Sequence, residues 1–232
     1  MAEAGKGLIK ACSAGDLRTL RNHLDSMSSP PNALTIQILT TTTAAGAQIS
    51  IIQYLLNKYP TVPLVEKTIR KAIYTGLIPL FSTLLAKDST ISNKGFDRSA
   101  PLAVAVNTRQ SPEFISLLLS TGANPNDSEA TPSIFCSAAG FYSSPDVVEL
   151  LLQHGTELKG SKALMAASHA GNIGMVRLLL EKGVRPESDF DRTGMAEPAL
   201  NVSVEKGNVE IVKLLIDNAA TRPLTPYHAA LA

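Results

Sequence analysis

One short sentence recurs along this chain. Gly171-Asn-Ile-Gly-Met-Val-Arg-Leu-Leu-Leu-Glu-Lys-Gly183 reads as a short apolar helix ending in a Leu triplet. The glycine after it sits where a helix stop favours a residue tolerating positive φ. Gly207-Asn-Val-Glu-Ile-Val-Lys-Leu-Leu-Ile216 restates it almost letter for letter, and Pro145-Asp-Val-Val-Glu-Leu-Leu-Leu152 and Phe114-Ile-Ser-Leu-Leu-Leu119 state it again. Ahead of each lies a second, small-residue helix, such as Ala163-Leu-Met-Ala-Ala167. The last apolar residue of each block serves as a ruler. It falls at Leu24, Leu56, Leu85, Leu119, Leu152, Leu180 and Ile216, in steps of 32, 29, 34, 33, 28 and 36. A chain built this way cannot gather one central core. Each unit buries its apolar face against the units before and after it.

Composition supports thin layers. Hydrophobic residues make 44% of the 232 residues, aromatics only 5%, and there is no Trp. A formal net charge of +1 supplies no general pull toward nucleic acid or an anionic membrane. No apolar run approaches the ~18 residues that span a bilayer, and Met1 to Gly7 carries no apolar leader region. The expectation is a soluble protein of the cytoplasm or nucleus. Cys12 and Cys136 stand in small-residue first helices with no His beside them. They read as buried, reduced, Ala-like thiols, not nucleophiles.

The period of roughly 33 with two helices per unit resembles the ankyrin repeat. Local motifs agree. Thr225-Pro-Tyr-His228-Ala-Ala is similar to the family's Thr-Pro-Leu-His-x-Ala, with partial copies at Thr131-Pro132 and Pro101-Leu102-Ala103. Gly122-Ala-Asn-Pro-Asn126 resembles the segment leading into the family's next hairpin. The resemblance covers the whole chain, strongest from Ala100 onward. It implies an all-α solenoid of stacked helix-turn-helix units, about fourteen helices, with no sheet larger than hairpin tips. As one domain, 1–232, the units fall near 5–30, 31–62, 63–93, 94–126, 127–158, 159–187 and 188–222, with a partial eighth at 223–232.

Several departures are legible. Asn22 and His23 stand where later units carry Leu, so the first unit is more polar. Thr40-Thr-Thr-Thr43 is poor helix material, so tertiary packing must hold it. Pro79 falls in a first helical turn, and Ser111-Pro112 reads as an N-cap followed by Pro at the first helical position. The fourth unit lacks a turn glycine, with Asn107 to Pro112 in its place. Counted from Gly140, the fifth unit's turn Phe141 to Pro145 is three residues longer than its neighbours. Glu187, Asp189 and Asp191 with Arg185 and Arg192 read as a solvated, charge-balanced loop, and Asp191 and Gly194 as a hairpin tip.

Motifs of chemistry are missing. No His pair has metal-ligand spacing on one helix, and neither a Walker loop nor Gly-x-Ser-x-Gly occurs. No cofactor, no metal and no catalytic residue is expected. Function then lies on the surface. The resemblance implies a concave groove lined by the ends of the first helices. Mapped by the turn glycines, it takes in Tyr74-Thr75, Asn107-Thr108 with Arg109, Ala138-Ala139, His169-Ala170 and Glu205-Lys206. Phe141 and Tyr142 adjoin it, as anchors for a partner or as a plug over neighbouring helices. The resemblance and this surface together imply a non-enzymatic, monomeric scaffold or adaptor binding a protein or peptide across units four to seven. It would bind neither nucleic acid nor membrane. The alternatives are a regulatory or sensor segment of a larger protein and, behind it, a small-molecule-binding or enzymatic ankyrin protein.

Overall fold

The computed structural model describes residues 2–96, 99–127, 130, 132–158, 160–185 and 198–220. These fall into two compact units, 1–130 and 131–232. The eighth partial unit with His228, and the connection carrying Glu187, Asp189, Asp191, Arg192 and Gly194, lie outside the described residues.

Unit 1 holds four helix pairs: α1 Ala2–Ala14 with α2 Leu17–Asp25, α3 Ala33–Ala45 with α4 Ile49–Lys58, α5 Glu66–Thr75 with α6 Ile78–Lys87, and α7 Pro101–Asn107 with α8 Pro112–Ser120. Unit 2 holds three: α9 Ile134–Phe141 with α10 Asp146–Gln153, α11 Ala163–His169 with α12 Ile173–Glu181, and α13 Pro198–Glu205 with α14 Val209–Ala220. Within each unit the first helices stand in a row, α1 beside α3, α5 and α7, and α9 beside α11 and α13. The only strand-like pairing among the described residues is an isolated bridge between Phe96 and Ser99. A short 3-10 helix, Ser89–Asn93, precedes it.

The helices start where sequence chemistry starts them. Asp16, Asn32, Ser111, Ser133 and Asn172 each accept a hydrogen bond from a backbone N–H of their own first turn. Pro79 and Pro112 occupy opening positions, as expected. The threonine run is held as its composition demands. Thr43, fully buried, donates to the Leu39 carbonyl at 2.7 Å, and Thr41 pairs with Thr68 of the next repeat at 2.7 Å. Each hydroxyl is thereby satisfied inside the layer.

The second helices bury a fixed trio. Met175, Val176 and Leu179 of α12 match Ile51, Ile52 and Leu55 of α4, and Leu80, Phe81 and Leu84 of α6. The ruler residues lie one place beyond the deepest position. Leu55, Leu84, Leu118, Leu151, Leu179 and Leu215 are all 0% exposed, whereas Ile216 is 50% exposed. In α2 this deepest position falls to His23, which is exposed. Its ring lies against Gly7, where an added Cβ would come within 3.2 Å of Nε2. Both cysteines are free and buried. Burial pushes the Cys12 thiol pKa up, partly offset by the Thr43 hydroxyl, and Cys136 donates to the Lys162 carbonyl at 3.7 Å.

Among the described helix pairs, every turn but that between α9 and α10 carries one left-handed residue. Glycine supplies it in most repeats, but Ala47 and Arg109 take it at φ 56° and 57°. A left-handed L-residue costs about 1–2 kcal/mol, and glycine's extra unfolded entropy returns about 0.5–1 of that. Ala47→Gly is therefore expected to stabilise the protein by about 0.5–1 kcal/mol. Urea denaturation measures it. A destabilised variant would show that Ala47 is not strained.

Candidate partner-binding surface

The expected site residues occupy first-helix ends. In unit 1, Tyr74 is 50% exposed near the end of α5, and the Lys71 ammonium stands 5.9 Å from its ring centroid. Asn107 ends α7, and Arg109 is the left-handed residue of that turn, both exposed. Tyr74 and Asn107 hold the same register, two positions before Gly76 and Arg109.

In unit 2, His169 ends α11 and Glu205 ends α13, each two positions before a left-handed glycine, Gly171 and Gly207. Ala170 and Lys206 come next, and all four are exposed. The α9 repeat departs from the sequence expectation. Gly140 is not the turn glycine. It lies inside α9, where an added Cβ would fall 3.3 Å from the Ala166 Cβ of α11. Glycine there permits close helix approach. The link from α9 to α10 is Tyr142 to Pro145, one residue longer than Ala170 to Asn172 between α11 and α12, not three. The register shifts accordingly. Ala138 and Ala139, expected on the groove, are fully buried, and Gly140 and Phe141 take the surface place. Phe141 is the last residue of α9 and 41% exposed. Tyr142 caps that helix, donates its N–H to the Ala138 carbonyl, and is half-buried.

A device not foreseen from the sequence fixes these turns. The side-chain amide just after one left-handed residue reaches back over the turn before it. Asn172 accepts from the Met175 N–H with Oδ1 and donates Nδ2 to the Tyr142 and Ser143 carbonyls, both at 3.2 Å. Asn208 donates to the Ser168 carbonyl at 3.3 Å and lies over Gly171. In unit 1, Gln48 covers Gly15 and Gln110 covers Gly76 so closely that a Cβ on either glycine would collide with the amide. The signal was present as Gln48, Gln110, Asn172 and Asn208 in one register. An apolar strip is equally unforeseen. Helix α3 carries Leu34, Ile36, Ile38 and Leu39, so it is hydrophobic beyond one stripe. Ile36 and Leu39 are buried, while Leu34 and Ile38 are 64% and 43% exposed.

Among the described residues no group of three or more His, Cys, Asp or Glu is placed to hold a metal. No described helix is long and apolar enough to cross a membrane.

This arrangement defines a helical repeat protein whose first helices stand in a row within each unit. Residues 135–224 match the family model for ankyrin repeats (3 copies). The crystal structure of the human ASB11 ankyrin repeat domain superposes with a TM-score of 0.72 at 19% identity, covering 94% of this chain and 99% of that one. A comparison with the curated proteins gives no match. Residues 135–224 thus match ankyrin repeats in sequence, and over most of its length the chain has the ankyrin-repeat fold. Such repeats are in general protein-interaction modules.

Proposed function

We propose that the protein is a non-enzymatic interaction module that holds a protein or peptide partner on its first-helix ends and the turns beside them. In unit 2 the contacting set is Phe141, with Tyr142 beside it, then His169, Glu205 and Lys206. In unit 1 it is Tyr74, Asn107 and Arg109. The observation that carries this reading is the tethering of the presenting turns. Asn172 ties the Tyr142–Ser143 backbone, and Asn208 ties the end of α11. A surface already ordered loses less entropy on binding. A half-exposed aromatic ringed by polar side chains is how interface hot spots are commonly built. Arg109 adds a second argument, because strained left-handed residues concentrate at functional positions.

The test uses a partner recovered by pull-down from the native cell. Phe141→Ala is expected to weaken its binding by about 1–3 kcal/mol with melting nearly unchanged. His169→Ala gives a smaller loss, and Lys213→Ala, on the second-helix surface, gives none. Tyr142→Ala is expected to cost both affinity and stability, since its side chain is half-buried. If Phe141→Ala lowers stability and leaves affinity intact, the aromatic is structural and the proposed surface is wrong.

A further inference from the structure

The first helices of repeats one to three bring like positions together. Helix α3 packs between α1 and α5. Nine positions before their left-handed residues Gly15, Ala47 and Gly76 stand Lys6, Ile38 and Lys67. Five positions before stand Lys10, Thr42 and Lys71. The outer helices thus carry lysines where the middle one carries apolar and neutral residues. Leu34 extends the middle strip, one helical turn before Ile38.

Two features make this strip surplus to the fold. The core duties of α3 are met by Ile36 and Leu39, at 1% and 0% exposure, so Leu34 and Ile38 are not needed there. They border a recess of about 310 Å³, walled also by Thr41, Thr42, Val65 and Lys67. Among the described residues, Lys6, Lys10, Lys67 and Lys71 have no carboxylate partner, while Glu66 on α5 is already paired with Arg70 at 2.5 Å. The same places in the α7 repeat hold Ala100, the N-cap, and Val104, so the positive rails belong to α1 and α5.

We infer that this face docks an acidic amphipathic helix of a partner protein, its aliphatic side chains in the recess and its carboxylates on the two lysine rails. Dimensions favour that occupant. Packed helices lie 8–10 Å apart, so α1 and α5 stand roughly 16–20 Å apart across α3. A helix about 10–12 Å wide lying along α3 reaches both rails at once. A second copy of this chain would set lysine against lysine. A bilayer surface is met by protruding apolar side chains rather than by a recess. The inference extends the interaction-module reading to a different unit, and Phe141 takes no part in it.

The full-length protein is titrated against a fluorescein-labelled helical peptide with Leu at i, i+3, i+4 and i+7 and Glu on its polar face. A counterpart with Lys for every Glu is the second probe. The Glu-faced peptide is expected to bind and the Lys-faced one not to. Raising salt should weaken binding. Ile38→Asp should weaken it roughly tenfold or more, with unchanged circular dichroism. The pair Lys67→Glu and Lys71→Glu, on exposed and half-buried side chains, should transfer preference to the Lys-faced peptide, which keeps the test decisive if Ile38→Asp fails to fold. Equal binding of both peptides, binding of neither, or indifference to the charge reversal overturns the proposal. So does sedimentation with phosphatidylserine vesicles that the same substitutions abolish. Loss of pull-down on Phe141→Ala with peptide binding intact leaves both readings standing. Pull-down retained on Phe141→Ala, with peptide binding also intact, sinks the earlier one alone.

Discussion

Leu179→Ala lowers the stability of the protein by about 2–5 kcal/mol, the range for a fully buried leucine. Its side chain is 0% exposed on α12, a helix packed against both α11 and α14. Truncation removes apolar contact and leaves a cavity that rigid neighbours cannot fill. Leu180→Ala is the sharper half of the experiment. That residue sits next in sequence but is only half-buried, so it should cost clearly less. Leu151 and Leu152 offer the same contrast on α10. In a linear array stability is shared between nearest neighbours, so the Leu179 variant should also broaden the urea transition. A loss under ~1 kcal/mol, or equal losses at positions 179 and 180, would refute the layer assignment.

The other large effect belongs to unit 1. Phe81 on α6 and Phe114 on α8 are both 0% exposed and meet edge to face, centroids 5.3 Å apart at 64°. Phe114→Ala is expected to cost about 3–5 kcal/mol. Part of that is transfer and cavity, and part is the ring pair, worth about 0.5–1.5 kcal/mol beyond burial. A cycle with Phe81→Leu, Phe114→Leu and the double variant isolates the pair term. Strict additivity in that cycle would mean the rings merely fill space.

Periodicity made the architecture readable. Seven apolar blocks at near-constant spacing foretold paired helices, and caps such as Ser111-Pro112 foretold where two of them begin. The misreading of the α9 repeat has one cause, because glycine has two uses that look alike in a sequence. Gly171 and Gly207 supply left-handed turns, while Gly140 is helical and admits Ala166. Taking Gly140 for a turn displaced the α9 register and put Ala138 and Ala139 on a surface they never reach. The ruler marked spacing and not depth, because a Leu triplet does not by its letters reveal which member faces inward. Leu34 and Ile38 were equally visible as letters, but apolar residues on a helix are ordinarily core, and only their exposure sets them apart.

The amide reaching back from one repeat to the one before it has a bearing on where this chain can be cut. The carbonyls of the Tyr142–Ser143 turn belong to one repeat, yet their donor, Asn172, belongs to the next. A fragment ending at Leu158 would keep the whole α9–α10 hairpin and lose its clasp. One ending after Asn172 would keep it. The minimal autonomous piece is therefore longer than the visible motif by the lead-in of its successor. Anyone grafting or shuffling these repeats should place the junction after the amide rather than at the loop.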